Sequence, residues 1–135
     1  MATIRIRVHN DKHVTLVHFE DMTTNKAREV YQVMALVVEM VNHPPTGSFA
    51  ERRMMGRYKN VKAIVVHSPY LETLRAKVIE LLAERDVHPS QMFAGYTPHV
   101  TKPYDEWMHG DMVPFEPWAE FHWSELDAPV SFGLG

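Results

Sequence analysis

Two histidines in this chain each stand two residues before a threonine, in His13-Val14-Thr15 and in His99-Val100-Thr101, 86 positions apart (99 minus 13). In a β-strand, residues i and i+2 project from one face about 6 to 7 Å apart. His13 therefore shares a face with Thr15 and His99 with Thr101, while Val14 and Val100 point into a core that holds each strand rigid, as an acid-base pair requires. An imidazole titrates near pH 6.5 and can take or give a proton near neutrality. Two imidazoles flanking one phosphorus can divide the cleavage of a phosphodiester. One deprotonates the attacking water or hydroxyl, and the other protonates the departing oxygen. Hydroxyl donors at Thr15 and Thr101 would bind the non-bridging oxygens, where charge builds in the transition state. Such chemistry needs no metal and no cofactor.

The chain holds 9 histidines, so the pattern alone is not decisive. His122-Trp123-Ser124 is a look-alike, with serine in place of threonine, and stands as a rival. His18 lies five residues after His13, so strict alternation puts it on the opposite face of the strand. That makes a shared metal site awkward, and no acidic cluster stands at ligand spacing nearby. His9, His43, His67, His88 and His109 sit at turns or element ends. Beyond the motifs, Lys102, Tyr104 and Trp107 offer a phosphate contact and base stacking worth about 1–3 kcal/mol per base. Packing of the same residues in a tail beside a solvated lysine is the competing reading. Tyr96 precedes the second motif as a ligand contact or a support. Arg52 and Arg53, with Arg57, form the most basic stretch, able to close over a phosphate or simply to be solvated.

The elements that must position these residues follow from periodicity. Ile4, Ile6 and Val8 alternate with Arg5 and Arg7 as in a half-buried strand, Asn10-Asp11-Lys12 reads as a turn, and Val14 to Phe19 as the second strand of a hairpin. From Thr24 to about Asn42 the apolar residues recur at helical spacing behind Thr23 or Thr24 as N-cap, and Pro44-Pro45 ends the run. Residues 49–58 read as a strand or a loop. Val61 to His67 is β-branched and reads as a buried strand. Ser68-Pro69 caps a second helix ending near Arg85, with Leu71, Leu74, Val78, Leu81 and Leu82 on one face. Residues 89–95 read as loop. Residues 104–118 form an aromatic, acidic tail with little periodicity, and strands are expected at 118–124 and 129–134. This order predicts one α+β domain over residues 1–135, two helices against largely antiparallel sheet.

Composition bounds the partners. A chain of 135 residues that is 45% hydrophobic fills one core. A net charge of −3 lacks the basicity needed to hold long nucleic acid, so a nucleotide ligand is expected to be small or a short oligonucleotide. There is no cysteine, hence no disulfide, thiolate nucleophile or zinc-thiolate site. The first residues lack the apolar run of a signal peptide, and nowhere do about 18 apolar residues run together. A cytoplasmic protein without membrane contact is the expectation.

The flanks carry a resemblance. His13-Val14-Thr15-Leu16-Val17-His18-Phe19, followed by an acidic turn and a helix, resembles the first motif of the 2H phosphoesterases, the superfamily of LigT-like 2'-5' RNA ligases and 2',3'-cyclic phosphodiesterases. Tyr96-Thr97-Pro98-His99-Val100-Thr101 resembles the second motif. The resemblance covers mainly residues 13–42 and 61–102. It implies a bilobal α+β sandwich with one motif from each lobe facing a groove, His13 and His99 as the acid-base pair, and Thr15 and Thr101 as phosphate ligands. Lys102 stands where the family usually has an apolar residue, and the tail after Pro103 has no counterpart. The resemblance leaves two substrate classes: RNA ends or 2'-5' linkages, and the cyclic or linear oligonucleotide messengers cleaved by compact phage-encoded members that disarm CBASS immunity, which would act in the host cytoplasm. Short length, low basicity and the aromatic tail favour the second. A non-catalytic module that sequesters a nucleotide is the alternative of a different class.

Overall fold

A computed structural model describes residues 1–90 and 95–135, so the part of the expected 89–95 loop at 91–94 lies outside the described residues. The alternating first strand is β1 (Ala2–Val8), and it pairs antiparallel with β2 (Lys12–Phe19). Asn10 takes a positive φ of 62° in the turn between them, a conformation asparagine tolerates better than most residues. α1 (Thr24–Met40) begins at Thr23, whose side chain accepts from the Lys26 N–H. It stops two residues short of Asn42, because Val41 is already extended (φ −81°, ψ 126°).

Residues 48–55 resolve the strand-or-loop alternative as β3 (Ser48–Met55), antiparallel to β4 (Val61–His67). α2 (Pro69–Ala83) has Ser68 as N-cap, its hydroxyl accepting from the Leu71 N–H at 3.1 Å. β5 is only His99–Thr101, followed by β6 (Phe115–Trp123) and β7 (Val130–Gly133).

The seven strands of the described residues form one sheet in the order β3-β4-β5-β2-β1-β6-β7. The expected two lobes are its two halves, β5-β4-β3 and β2-β1-β6-β7, joined where β2 meets β5 with Val14 opposite Val100. Every neighbouring pair is antiparallel. One sheet face carries Ile4, Ile6, Val14, Ile64, Val100 and Phe121, all buried, which pack with Val30 and Met34 of α1 and Leu71 and Val78 of α2. The helices therefore cover one face only, and the motif histidines lie on the other.

Candidate active site

The seam between the lobes builds the site. Because β2 and β5 run antiparallel with Val14 opposite Val100, His13 stands opposite Thr101 and Thr15 opposite His99. Val14 and Val100 are fully buried, so the four motif side chains share the face turned away from the helices. Their Cα atoms mark a rectangle of roughly 5 Å across the strands and 7 Å along them. The histidines occupy one diagonal and the threonines the other. Attack and departure at a phosphorus lie on opposite sides, so an acid and a base belong on opposite corners. The sequence placed each histidine beside its own threonine; the register adds the cross pairing and a local twofold axis between the two valines.

Hydrogen bonds fix the corners. His99 Nδ1 lies 2.8 Å from the Thr97 carbonyl, which can only accept, so that nitrogen carries a proton and Nε2 is left for chemistry. Tyr96 donates its hydroxyl to the Thr15 carbonyl at 3.0 Å, and Arg75 Nε donates to the Leu16 carbonyl at 3.1 Å. Side chains thus cap both carbonyls of β2 beside the three-residue β5. The Arg75 guanidinium lies 4.4 Å from the Tyr96 ring centroid, and burial raises the Tyr96 phenol above its ordinary range. Tyr96, a candidate ligand contact in the sequence, has its hydroxyl engaged in holding Thr15.

His13 is held neutral. Burial first, then the charges of Arg5, His122, Arg7 and His99, push its pKa down to about 4 from an ordinary 6.5. A neutral imidazole is the form that accepts a proton. The same shift has a consequence for stability. Between pH 6.5 and about 4 the unfolded chain protonates this histidine while the folded chain does not, so the His13 contribution to stability is present above pH 6.5 and is lost as pH falls toward 4. Urea midpoints measured from pH 7 to pH 4 should fall less steeply in His13→Asn than in the unsubstituted chain. Equal slopes would show that His13 titrates normally.

The rest of this face comes from β1 and β6. Arg5 is in register with Thr15 and Arg7 with His13. Across β1, Arg5 faces Glu120 and Thr3 faces His122. Arg7 is ion-paired to Glu116 and Glu120, both at 3.2 Å. The expectation that His18 faces away from His13 is corrected. The register slips between Ile4 and Arg5, leaving Leu16 as an extra residue in β2, and both Leu16 and Val17 are buried. This bulge reverses the alternation, and His18 pairs with Thr3 on the histidine side. Arg5 and Arg7 were missed as site residues, although their alternation with Ile4, Ile6 and Val8 was the available signal: the polar face of a strand beside β2 must flank its histidines.

The remaining candidates divide. Arg53 is in register with Ala63, and Ala63 with Thr101, so Arg53 sits on the histidine side two strands from Thr101, ion-paired to Glu51. Arg52 instead donates from Nη2 to the carbonyls of Tyr104, Asp105 and Trp107 at 2.9, 3.3 and 2.7 Å, pinning the tail. Trp107 is 8% exposed and stacks on Phe49 at 5.0 Å between centroids, within the helix-side core. Tyr104 packs edge-on against Trp107 and donates its hydroxyl to Asp11 in the hairpin turn at 3.2 Å. Lys102, with a positive φ of 50°, lines a shallow hollow with Arg52, Asn60, Lys62 and Asp105 that none of the four motif residues reaches. The structure thus brings His13, Thr15, His99 and Thr101 together and leaves Tyr104, Trp107 and Arg52 in the scaffold. Among the described residues, no three histidine or acidic side chains gather as metal ligands, and no helix is long and apolar enough to cross a membrane.

No protein-family model and no curated protein matches the chain. Among solved structures it is similar to the crystal structure of the MHV ns2 PDE domain, with a TM-score of 0.55 and 16% sequence identity over 96% of this chain and 77% of that one. The architecture, two helices on one antiparallel sheet, is the α+β fold that the order of elements predicts, and it is similar to the fold of that PDE domain.

Proposed function

We propose that this protein is a metal-independent phosphodiesterase that cleaves small nucleotides or short oligonucleotides by acid-base catalysis between His13 and His99. The observation that carries the reading is the antiparallel register at Val14 and Val100, which puts the histidines on one diagonal and the threonines on the other. The likeness in fold to a PDE domain supports the same chemistry. A phosphate seated over the rectangle receives the threonine hydroxyls on its non-bridging oxygens. His13, neutral, takes the proton of the attacking water or ribose hydroxyl, and His99 in its protonated form gives one from Nε2 to the leaving oxygen. The roles exchange when the bond is approached from the other side.

A 2',3'-cyclic phosphate or a vicinal 2'-hydroxyl suits this device, because the strained ester or the internal nucleophile spares the protein a metal. The aromatic tail no longer favours cyclic oligonucleotide messengers over RNA ends, since Trp107 lies in the core. Both substrate classes therefore go into the test. The protein is incubated in EDTA with 2',3'-cyclic nucleotides, 2'-5' and 3'-5' dinucleotides, and cyclic di- and trinucleotides, and products are read by mass spectrometry. Turnover unaffected by EDTA is expected with at least one class. Turnover abolished by EDTA would overturn the metal-independent mechanism, and tight binding without any turnover would make the protein a nucleotide-sequestering module.

A further inference from the structure

We infer that Arg5, with His122 beside it, forms a second anion subsite next to the catalytic rectangle, so that the substrate carries a phosphate adjacent to the one cleaved. The inference rests on the phosphodiesterase reading for the word substrate, but the subsite itself stands on separate residues. Arg5 occupies the histidine face one strand over from Thr15, roughly 8 Å from the rectangle's centre at Cα level. That offset is comparable with one step along a nucleotide backbone.

The two arginines of β1 are engaged differently. Arg7 is committed to Glu116, Glu120 and the Asn10 carbonyl. Arg5 makes one hydrogen bond, from Nε to the Thr3 hydroxyl at 3.0 Å, and has no carboxylate within ion-pair distance among the described residues. The Glu120 carboxylate attracts it but contacts Arg7. An arginine carries five N–H donors, and the four on Nη1 and Nη2 have no protein acceptor among the described residues. That planar fork matches two phosphate oxygens. Arg5 is half-buried, so its fork is oriented rather than freely solvated, and the Thr3 hydroxyl holds its stem. His122 stands on the same face, paired with Thr3 across β1. Its charge and that of Arg5 are both felt at His13, which places the three groups around one patch. Protonated or as an N–H donor, His122 adds a third contact to the same anion.

The subsite can be read without any catalysis. Inorganic phosphate is titrated into the His13→Ala/His99→Ala protein while the Arg Nε–Hε and histidine ring signals are followed by NMR. Saturable movement of the Arg5 and His122 signals is expected. Arg5→Gln should abolish it, and Arg5→Lys, which keeps the charge and guards against a folding defect, should retain binding within about tenfold. Phosphate that moves only the Thr15 and Thr101 amides, or that binds Arg5→Gln as well as its parent, overturns the subsite. In the native chain, a dinucleotide bearing a terminal phosphate should be preferred about tenfold in kcat/KM over one lacking it. The two readings fail separately: no turnover with an intact Arg5 response sinks the phosphodiesterase alone, and turnover with no Arg5 response sinks the subsite alone.

Discussion

Alanine at His13 or at His99 is expected to lower turnover by about 10²- to 10⁴-fold, the range for loss of a positioned acid or base. The register explains why neither can cover for the other. They stand at opposite corners across the Val14–Val100 seam, and each reaches only one side of a phosphorus placed between them. Substrate affinity should change little, because the threonine hydroxyls remain. The double variant should lose barely more than the worse single one, since both residues serve the same transition state. His88→Ala is the control: this exposed histidine contacts Asp86 and belongs to neither motif. Single-turnover rates measured beside a binding isotherm separate the outcomes. Unchanged turnover in either variant overturns the acid-base assignment. A weakened isotherm in both, with no turnover in the native chain, makes the histidines ligand contacts of a binding module.

His13 also fixes the expected pH dependence. With its pKa near 4 in the free protein, the acid limb of kcat/KM should fall well below pH 6, not around an ordinary imidazole value. The limb reflects burial first and then the surrounding charges. Arg5 and Arg7 are fixed cations on the neighbouring strand, and His122 and His99 add to them. A bound phosphate offsets that field, so in the complex His13 should hold a proton more readily than in the free protein.

The parts of this site that were legible in the sequence are those set by local rules. Period-two alternation put His13 with Thr15 and His99 with Thr101, and Ser68-Pro69 marked the start of α2 through capping chemistry that involves three residues. What was not legible depends on pairing. No local pattern states that Val14 faces Val100, and that single register turns two separate strands into one rectangle. Nor does alternation survive a bulge. The extra residue at Leu16 brings His18 to the histidine side, although counting from His13 puts it on the other. Arginines are ambiguous for a related reason. Arg52 and Arg53 are adjacent in a strand and so face opposite ways. One pins the tail through three carbonyls and the other lies on the histidine side. Arg5 was the quieter residue in the sequence, and the sheet order places it beside Thr15.

Trp107→Ala should destabilise the fold by about 3–5 kcal/mol, the cost of emptying a buried aromatic site. The two readings of this residue separate cleanly here. A tryptophan that stacks on a base is exposed before the ligand arrives, and its loss weakens binding by about 1–3 kcal/mol while stability hardly moves. Trp107 is instead 8% exposed, lies against Phe49 in a near-parallel stack and takes the edge of Tyr104 at 4.8 Å. Its carbonyl also accepts from Arg52, so the ring and the backbone together fasten residues 104–107 over β3. Removing the ring leaves a cavity against Phe49 and loosens that segment. Trp107→Phe should recover part of the loss, because a smaller ring still stacks on Phe49. Urea midpoints give the stability change, and KM measured well below those midpoints should stay within a few-fold of the native value. A stable Trp107→Ala protein with a raised KM would return the tail to the ligand site and make the Phe49 stack incidental.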